Sequence, residues 1–267
     1  MEKASAAEVT GSCAALEENA TAFFPDSARS SAATRDFSSF SSRVDPDIPA
    51  YLQETYWWAY LHPVGVRVFE RQWIVNFILW GNFARLRDEV LRELGGTISG
   101  RILQVACVYG DFTPSVAARL ASGSRFDVVD VAPVQLENVA KKLHSFTNVT
   151  LHRQDSTRLE FEEGLFDHVV VFFLLHEQPM EARRETVREA LRVAKPGGKV
   201  IFTDYHRPGP LNPFRYIMTP VLLTLEPFAM DLWQHEIIDW IPEGMTVRSV
   251  RKELFFGGLY QKVVITR

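Results

Sequence analysis

Between Arg101 and Tyr205, apolar extended runs alternate with helix-forming runs, and this rhythm constrains the fold more than any other feature. "RILQVA" precedes the helical "PSVAARLA", "FDVVDV" precedes "VQLENVAKKLH", and "VTLHR" precedes a longer apolar run, "FDHVVVFFLL". Then come "MEARRETVREALRVA", with Val187, Ala190, Leu191 and Ala194 on one stripe, a "KPGG" stop and the strand "KVIFTDY". Strands separated by helices pair in parallel, because parallel neighbours need a crossover that a tight turn cannot supply. "FDHVVVFFLL" lacks alternation and predicts a strand buried on both faces. Two further extended runs, "TVRSVRKELFF" and "LYQKVVIT", flank Gly257 and Gly258 and predict a hairpin closing one edge. The expectation is an α/β, doubly wound sheet.

The 267 residues suffice for one sizeable core and are short for two domains. Residues 1–46 are rich in Ser and Ala without apolar periodicity and are expected to form a disordered tail. The tail lacks the apolar h-region of a secretory signal, and its first part carries Glu2, Glu8, Glu17, Glu18 and Asp26, unlike an acid-poor presequence. Its segment "SARSSAATRDFSSFSSR" has transit-peptide composition, so a targeting role stays open. Residues 47–97 turn abruptly aromatic at mostly helical spacing and predict two helices. Tyr56, Trp57, Trp58, Tyr60 and His62 are candidates for a greasy substrate entrance or a membrane-interface face; packing against the sheet is the alternative. A formal charge of -4 with no clustered basic surface argues against a nucleic-acid partner. The two cysteines, Cys13 and Cys107, form neither a disulfide framework nor a metal motif.

In a doubly wound sheet the ligand crevice lies beyond the carboxyl ends of the strands. Asp130 ends the second strand 20 residues after Gly110, where a carboxylate meets a ribose hydroxyl pair. Asp155 and Ser156, in "RQDST", follow the third strand, where a carboxylate can accept from an adenine amino group. The loop after the first strand, "LQVACVYGDFT", has one glycine, Gly110, where a nucleotide-binding loop carries several.

Strand-end "LQVACVYG", acidic Asp130, "RQDSTRLEFEEGLFDHVVV" and "LRVAKPGGKVIFTDY", in this order, resemble the class I S-adenosylmethionine-dependent methyltransferase superfamily. The resemblance implies a Rossmann-like domain over residues 98–267, with a seven-stranded, mostly parallel sheet, an antiparallel hairpin edge and S-adenosylmethionine in the crevice. "YWWAYLHP", "VACVYGDFT", "LLHEQP" and "TDYHRPGPLNPFRY" narrow it to the rhodoquinone-biosynthesis proteins of the RquA type. That resemblance implies conversion of ubiquinone into rhodoquinone, an amine replacing a ring methoxy group, with S-adenosylmethionine as amino donor and manganese assisting. An ordinary methyltransferase acting on a quinone or lipid-phenol is the nearest alternative, and a non-catalytic binding scaffold the third.

Gln104 stands where the superfamily usually has an acid, and Ala106 and Val108 where it has glycines. Glycine permits positive φ and close backbone approach, which a β-branched side chain strongly disfavours. The methionine end of the cofactor is therefore expected to bind differently, beside Tyr109 and Asp111. An amino donor must present an unprotonated α-amine, and Asp111 is the expected base or amine holder. His176, Glu177, Asp204 and His206, at the ends of the fourth and fifth strands, are candidate manganese ligands, since oxygen and imidazole suit that ion. His176 and Glu177 are candidates for acid–base work as well. The apolar segment Asn212 to Trp233 is too broken to span a membrane; it is a lid, a channel for an isoprenoid tail or a face at the bilayer surface. Ubiquinone resides in the bilayer, so the expected location is peripheral, at the cytoplasmic face of a bacterial inner membrane or in a mitochondrion.

Overall fold

Seven strands form a single mixed sheet in the computed structural model, which describes residues 45–267. All but the last two residues of the expected tail lie outside the described residues. The strands are β1 (Arg101–Val105), β2 (Arg125–Asp130), β3 (Val149–Arg153), β4 (Phe166–Phe172), β5 (Ala194–Tyr205), β6 (Ser249–Phe255) and β7 (Tyr260–Thr266). Their order is β3-β2-β1-β4-β5-β7-β6, with β7 antiparallel to both of its neighbours. The order reverses between β1 and β4, so the carboxyl ends of these strands diverge into a crevice.

The central strands are buried on both faces, from Ile102 to Val105 in β1 and from Val169 to Phe172 in β4, which explains the unbroken apolar run of β4 and leaves Gln104 as the one polar side chain in that stretch of β1. Helix α4 (Phe83–Leu94) turns Phe83, Leu86, Val90, Leu91 and Leu94 inward on one stripe. Each such fully buried side chain contributes roughly 1.5–3 kcal/mol. Helices α5 (Phe112–Ala117), α6 (Pro133–Lys142) and α7 (Met180–Val193) are the crossovers after β1, β2 and β4.

Residues 47–97 differ from the two expected helices. They form α1 (Ala50–Thr55), a π-helical turn at Trp57–Leu61, α2 (Pro63–Phe69), α3 (Gln72–Ile78) and α4. Pro63 starts α2 because its missing N–H is not needed in a first turn, and the His62 ring accepts from Val64 N at 3.2 Å. Left-handed Trp80 and Gly81, at φ 51° and 75°, separate α3 from α4. The run "FDHVVVFFLL" is likewise only partly strand: Phe173 takes φ 53°, and Leu175–Glu177 wind into a 3-10 turn. "KPGG" does not separate helix from strand, since β5 begins at Ala194. Gly197, at φ 84°, carries the backbone round so that its N–H reaches Arg267 O.

Candidate active site

A cleft opens over the switch point. Its walls are Tyr51 and Tyr60 from the N-terminal helices, the β1 loop from Ala106 to Tyr109, and Asp130, Asp155 and Ser156 beyond β2 and β3. His176, Glu177, Tyr205 and Glu226 close the far side.

Ala106 holds φ 70°, so the loop keeps a left-handed conformation without the glycine that normally allows it. The left-handed alanine costs about 1–2 kcal/mol, and Val108 in the same loop is not left-handed. The strain is held by neighbours: Ala106 N donates to Val129 O at 3.0 Å, and Gln104 Nε2 donates to Ala106 O at 2.9 Å and Thr113 Oγ1 at 3.0 Å. Gln104 is buried beneath the loop rather than in the cleft wall, so it supports the loop and does not face a cofactor. Lys142 Nζ ties the other end, donating to Val108 O at 3.2 Å and Gly110 O at 2.9 Å while paired with Glu70. Gly110 is required: at φ 77°, an added Cβ would lie 2.7 Å from Gln72 Oε1 and 3.2 Å from Phe83. It turns the chain and is absent from the cleft wall.

Tyr109 does line the cleft, with its hydroxyl already engaged. It donates to Ala59 O at 2.5 Å and accepts from Gln135 Nε2 at 2.7 Å, while the ring stacks on Tyr60 at 5.7 Å and on Phe69 at 6.0 Å. Burial pushes its hydroxyl further toward the neutral form, so Tyr109 fastens the loop to the π-helical turn. Asp111 is placed elsewhere than the expected base would be. It immediately precedes α5, outside the cleft wall, with Oδ2 2.5 Å from Arg87 Nη1 and its N–H donating to Gln72 Oε1.

The strand-end carboxylates stand in the cleft as their spacing requires. Asp130 accepts from Cys107 N at 2.7 Å and from Ala132 N at 2.8 Å, which binds the β1 and β2 loops together. Burial pushes its carboxyl up to about 6 despite the donors from Ala132, Cys107 and Val131. Asp155 Oδ1 accepts from Thr157 N and Oγ1, both at 2.8 Å, leaving Oδ2 for an outside donor. Ser156 Oγ sits between Thr186 Oγ1 and Gln178 Nε2, at 2.9 and 3.0 Å.

On the far side, His176 and Glu177 are buried in the 3-10 turn after β4. His176 Nδ1 lies 2.9 Å from Asp204 Oδ1, and Nε2 lies 3.7 Å from Glu177 Oε1. Burial opposes a charge on the imidazole, but Asp204 and the two glutamates outweigh it and push His176 up to about 9. Burial, and then Glu226, drives Glu177 up to about 8 against the opposing pull of His176. Glu226 is raised as well, chiefly by desolvation, and its Oε2 is shielded from solvent without a partner. Tyr60 and Tyr56 stand against Glu177 and Glu226 respectively. At neutral pH the cluster is thus a cationic imidazole facing carboxyl groups held toward their neutral forms. Arg183, fully buried, organises it by donating to Leu175 O at 2.8 Å, Gln178 O at 2.7 Å and Phe228 O at 2.8 Å.

Of the expected manganese set, His176, Glu177 and Asp204 are neighbours, but His206 is not among them and the oxygens of Asp204 are taken up by the backbone. Asp204 accepts from Leu175 N, His176 N and Tyr205 N, which turns its oxygens to the backbone. His206 leaves the strand end: Nδ1 contacts Gly258 O at 2.8 Å, and Nε2 lies 3.6 Å from Glu236. Among the described residues, no three His, Cys, Asp or Glu side chains are arranged to hold a metal ion. Of the expected entrance residues only Tyr60 lines the cleft. Tyr56 is buried behind it, Trp57 and Trp58 are exposed, and His62 caps α2 edge-on to Trp57. Sequence reasoning does not single out Glu226; its signal is an acid that ends the apolar run Phe214–Leu225.

The sheet order, antiparallel edge and switch-point cleft define the Rossmann-like fold of class I methyltransferases, and residues 102–198 match the family described as Methyltransferase domain. A demethylmenaquinone methyltransferase of Staphylococcus aureus is 30% identical over 133 residues, 50% of this chain and 54% of that protein. The chain thus spans about half the length of the curated relatives it matches. Among solved structures, the N-methyltransferase NodS from Bradyrhizobium japonicum in complex with S-adenosylhomocysteine is 18% identical with a TM-score of 0.51, over 69% of this chain and 86% of that one. Haemonchus contortus phosphoethanolamine N-methyltransferase 2 in complex with S-adenosylmethionine is 16% identical with a TM-score of 0.57, over 82% and 60%. These likenesses establish the fold.

Proposed function

We propose that this chain binds S-adenosylmethionine and uses it to aminate ubiquinone to rhodoquinone, replacing a ring methoxy group. The observation that carries the reading is the buried pair of His176 and Glu177 in the cleft wall, with His176 Nδ1 2.9 Å from Asp204 Oδ1 and the Glu177 carboxyl raised by burial. A free α-amino group titrates at about 7.7–8.0, so a carboxyl raised well above the ordinary carboxylate range is a better acceptor for the ammonium proton than an exposed one.

The cofactor's demands fit the residues present. Asp130, in the cleft wall at the end of β2, would meet the ribose hydroxyls, and Asp155 Oδ2 can accept from the adenine amino group. When bound, S-adenosylmethionine would supply the amine that replaces the methoxy group, which leaves as methanol; release of a free amino group also requires the donor's N–Cα bond to break, and no residue of the cleft is assigned to that cleavage. Glu177 takes the ammonium proton and holds it on its carboxyl. His176, cationic beside Asp204, donates through Nε2 to the quinone carbonyl conjugate to the methoxy-bearing carbon, stabilising charge that develops on that oxygen. Tyr51, Leu52, Val75, Leu79 and Phe83 exclude water from an apolar ring. The donor geometry does not fit manganese, and no step depends on it.

A quinone methyltransferase is the second reading, favoured by the similarity to the demethylmenaquinone enzyme. The test is mass spectrometry of ubiquinone incubated with the protein and S-adenosylmethionine. An aminoquinone lacking one methoxy group supports the proposal, whereas a methylated quinone supports the second reading and overturns the first. Because ubiquinone resides in the bilayer, the proposal includes peripheral membrane contact.

A further inference from the structure

We infer that the joined outer faces of α3 and of α8 (Phe214–Leu225) form a docking surface for an anionic lipid bilayer. The quinone reading bears on this only through what enters the cleft; the surface itself stands on exposure and charge. Helix α8 buries Met218 and Leu222, one turn apart, yet its outer half is apolar too, with Tyr216, Ile217, Val221, Leu223 and Leu225 in solvent. An ordinary surface helix carries polar residues there. Next to it, Trp73 and Phe77 of α3 are 65% and 76% exposed, and Leu211, just before α8, is 97% exposed.

The two segments make one surface. Trp80 packs edge-on against Phe214 at 4.9 Å, and its indole N–H donates to Met218 Sδ at 3.1 Å. The surface is also continuous with the cleft mouth, since Ile78 and Leu79 at one side and Glu226 at the other line the cleft. Contiguous exposed apolar surface of this kind marks an interaction site. Charge selects the occupant. Residues 71–81 and 207–225 carry Arg71, Arg207 and Arg215 and no carboxylate, in a chain whose formal charge is -4. Cations beside apolar residues, with Trp and Tyr among them, match a negatively charged headgroup layer over hydrocarbon. Among the described residues no helix is long and apolar enough to cross a membrane, so this contact lies on the surface.

The test is flotation of the full chain with quinone-free vesicles of phosphatidylcholine alone or with phosphatidylglycerol added. The expected result is binding to the anionic vesicles, reduced at least about tenfold in Phe77→Ser/Leu223→Ser. Arg71→Gln/Arg207→Gln/Arg215→Gln is expected to lose the preference for anionic lipid, and Trp73 fluorescence to be quenched by brominated lipid. Failure of the wild-type chain to float, or unchanged flotation of the apolar variant, overturns the proposal. A solution dimer that Phe77→Ser/Leu223→Ser dissociates, without vesicle binding, also overturns it and gives the surface to a second copy. Turnover of a water-soluble short-chain quinone is expected to be unchanged in these variants. Its absence from the wild-type chain would fault the catalytic reading and leave vesicle binding as a separate result.

Discussion

Asp204→Asn removes the charge that holds His176 protonated while preserving the shape of the side chain and one oxygen for the backbone donors. In the native protein the imidazole rises from about 6.5 to about 9, or about 3 kcal/mol at roughly 1.4 kcal/mol per pH unit. A folded value above the unfolded one means that this stabilisation is fully present below about pH 6.5 and is lost as pH rises through about 9. Glu177, raised to about 8 by burial, acts in the same direction, because its neutral form is favoured by the fold and its ionisation is penalised as pH climbs from about 4.5 towards 8. Native stability should therefore fall between pH 6.5 and 9. In Asp204→Asn, burial becomes the leading influence on His176, and its midpoint should drop to about 7 or below. Histidine-labelled NMR titration reads that midpoint directly, and urea unfolding at pH 6.5 and 9 reads the linked stability. A His176 midpoint that stays near 9 in the variant would refute the assignment of Asp204 as its counter-ion.

Four further outcomes are expected. Amination should follow a bell with its maximum between about pH 8 and 9, because Glu177 must be deprotonated and His176 protonated; a flat profile through pH 8 in kcat/KM would remove Glu177 as the base. Asp111→Asn should retain activity within about threefold and alter stability by at most about 1 kcal/mol, since only a half-exposed ion pair with Arg87 is lost; abolished turnover would return Asp111 to the chemistry. Arg183→Met should destabilise by about 3 kcal/mol and lower kcat, with no rescue by Arg183→Lys, because three carbonyls converge on the guanidinium; urea unfolding and steady-state kinetics check both. Ala106→Gly should stabilise by about 1 kcal/mol by relieving the left-handed alanine, and an unfolding midpoint that falls instead would show that φ 70° is not strained here.

Strand ends were legible wherever chain periodicity alone determines position. Asp130, His176 and Glu177 stand in the cleft because each ends or follows an apolar run that became an inner strand, and Asp155 because it follows the edge strand β3. Contacts made across the fold were not legible. Asp111 is two residues from Tyr109, yet the chain turns at Gly110 and delivers it to Arg87, 24 positions earlier, which nothing in the loop announces. His206 shares a strand-end motif with Asp204, but backbone pairing of His206 N with Leu259 O carries it to the hairpin. Glu226 reaches Glu177 across 49 positions, through the packing of α8 and the reach of Arg183 to Phe228 O, a tertiary relation with no local pattern. The spacing of the aromatic segment shows helical faces and so reads as two helices, while the breaks at Pro63 and at Trp80 and Gly81 follow from backbone chemistry.

The most direct measurement uses S-adenosylmethionine labelled with nitrogen-15 at the α-amine and carbon-13 at the sulfonium methyl, with ubiquinone in detergent and mass spectrometry of the quinone product. Amination predicts nitrogen-15 in a quinone that has lost one methoxy group, with no carbon-13 incorporated. Carbon-13 in a quinone that keeps both methoxy groups and gains no nitrogen would contradict the account and make the cleft that of a methyltransferase.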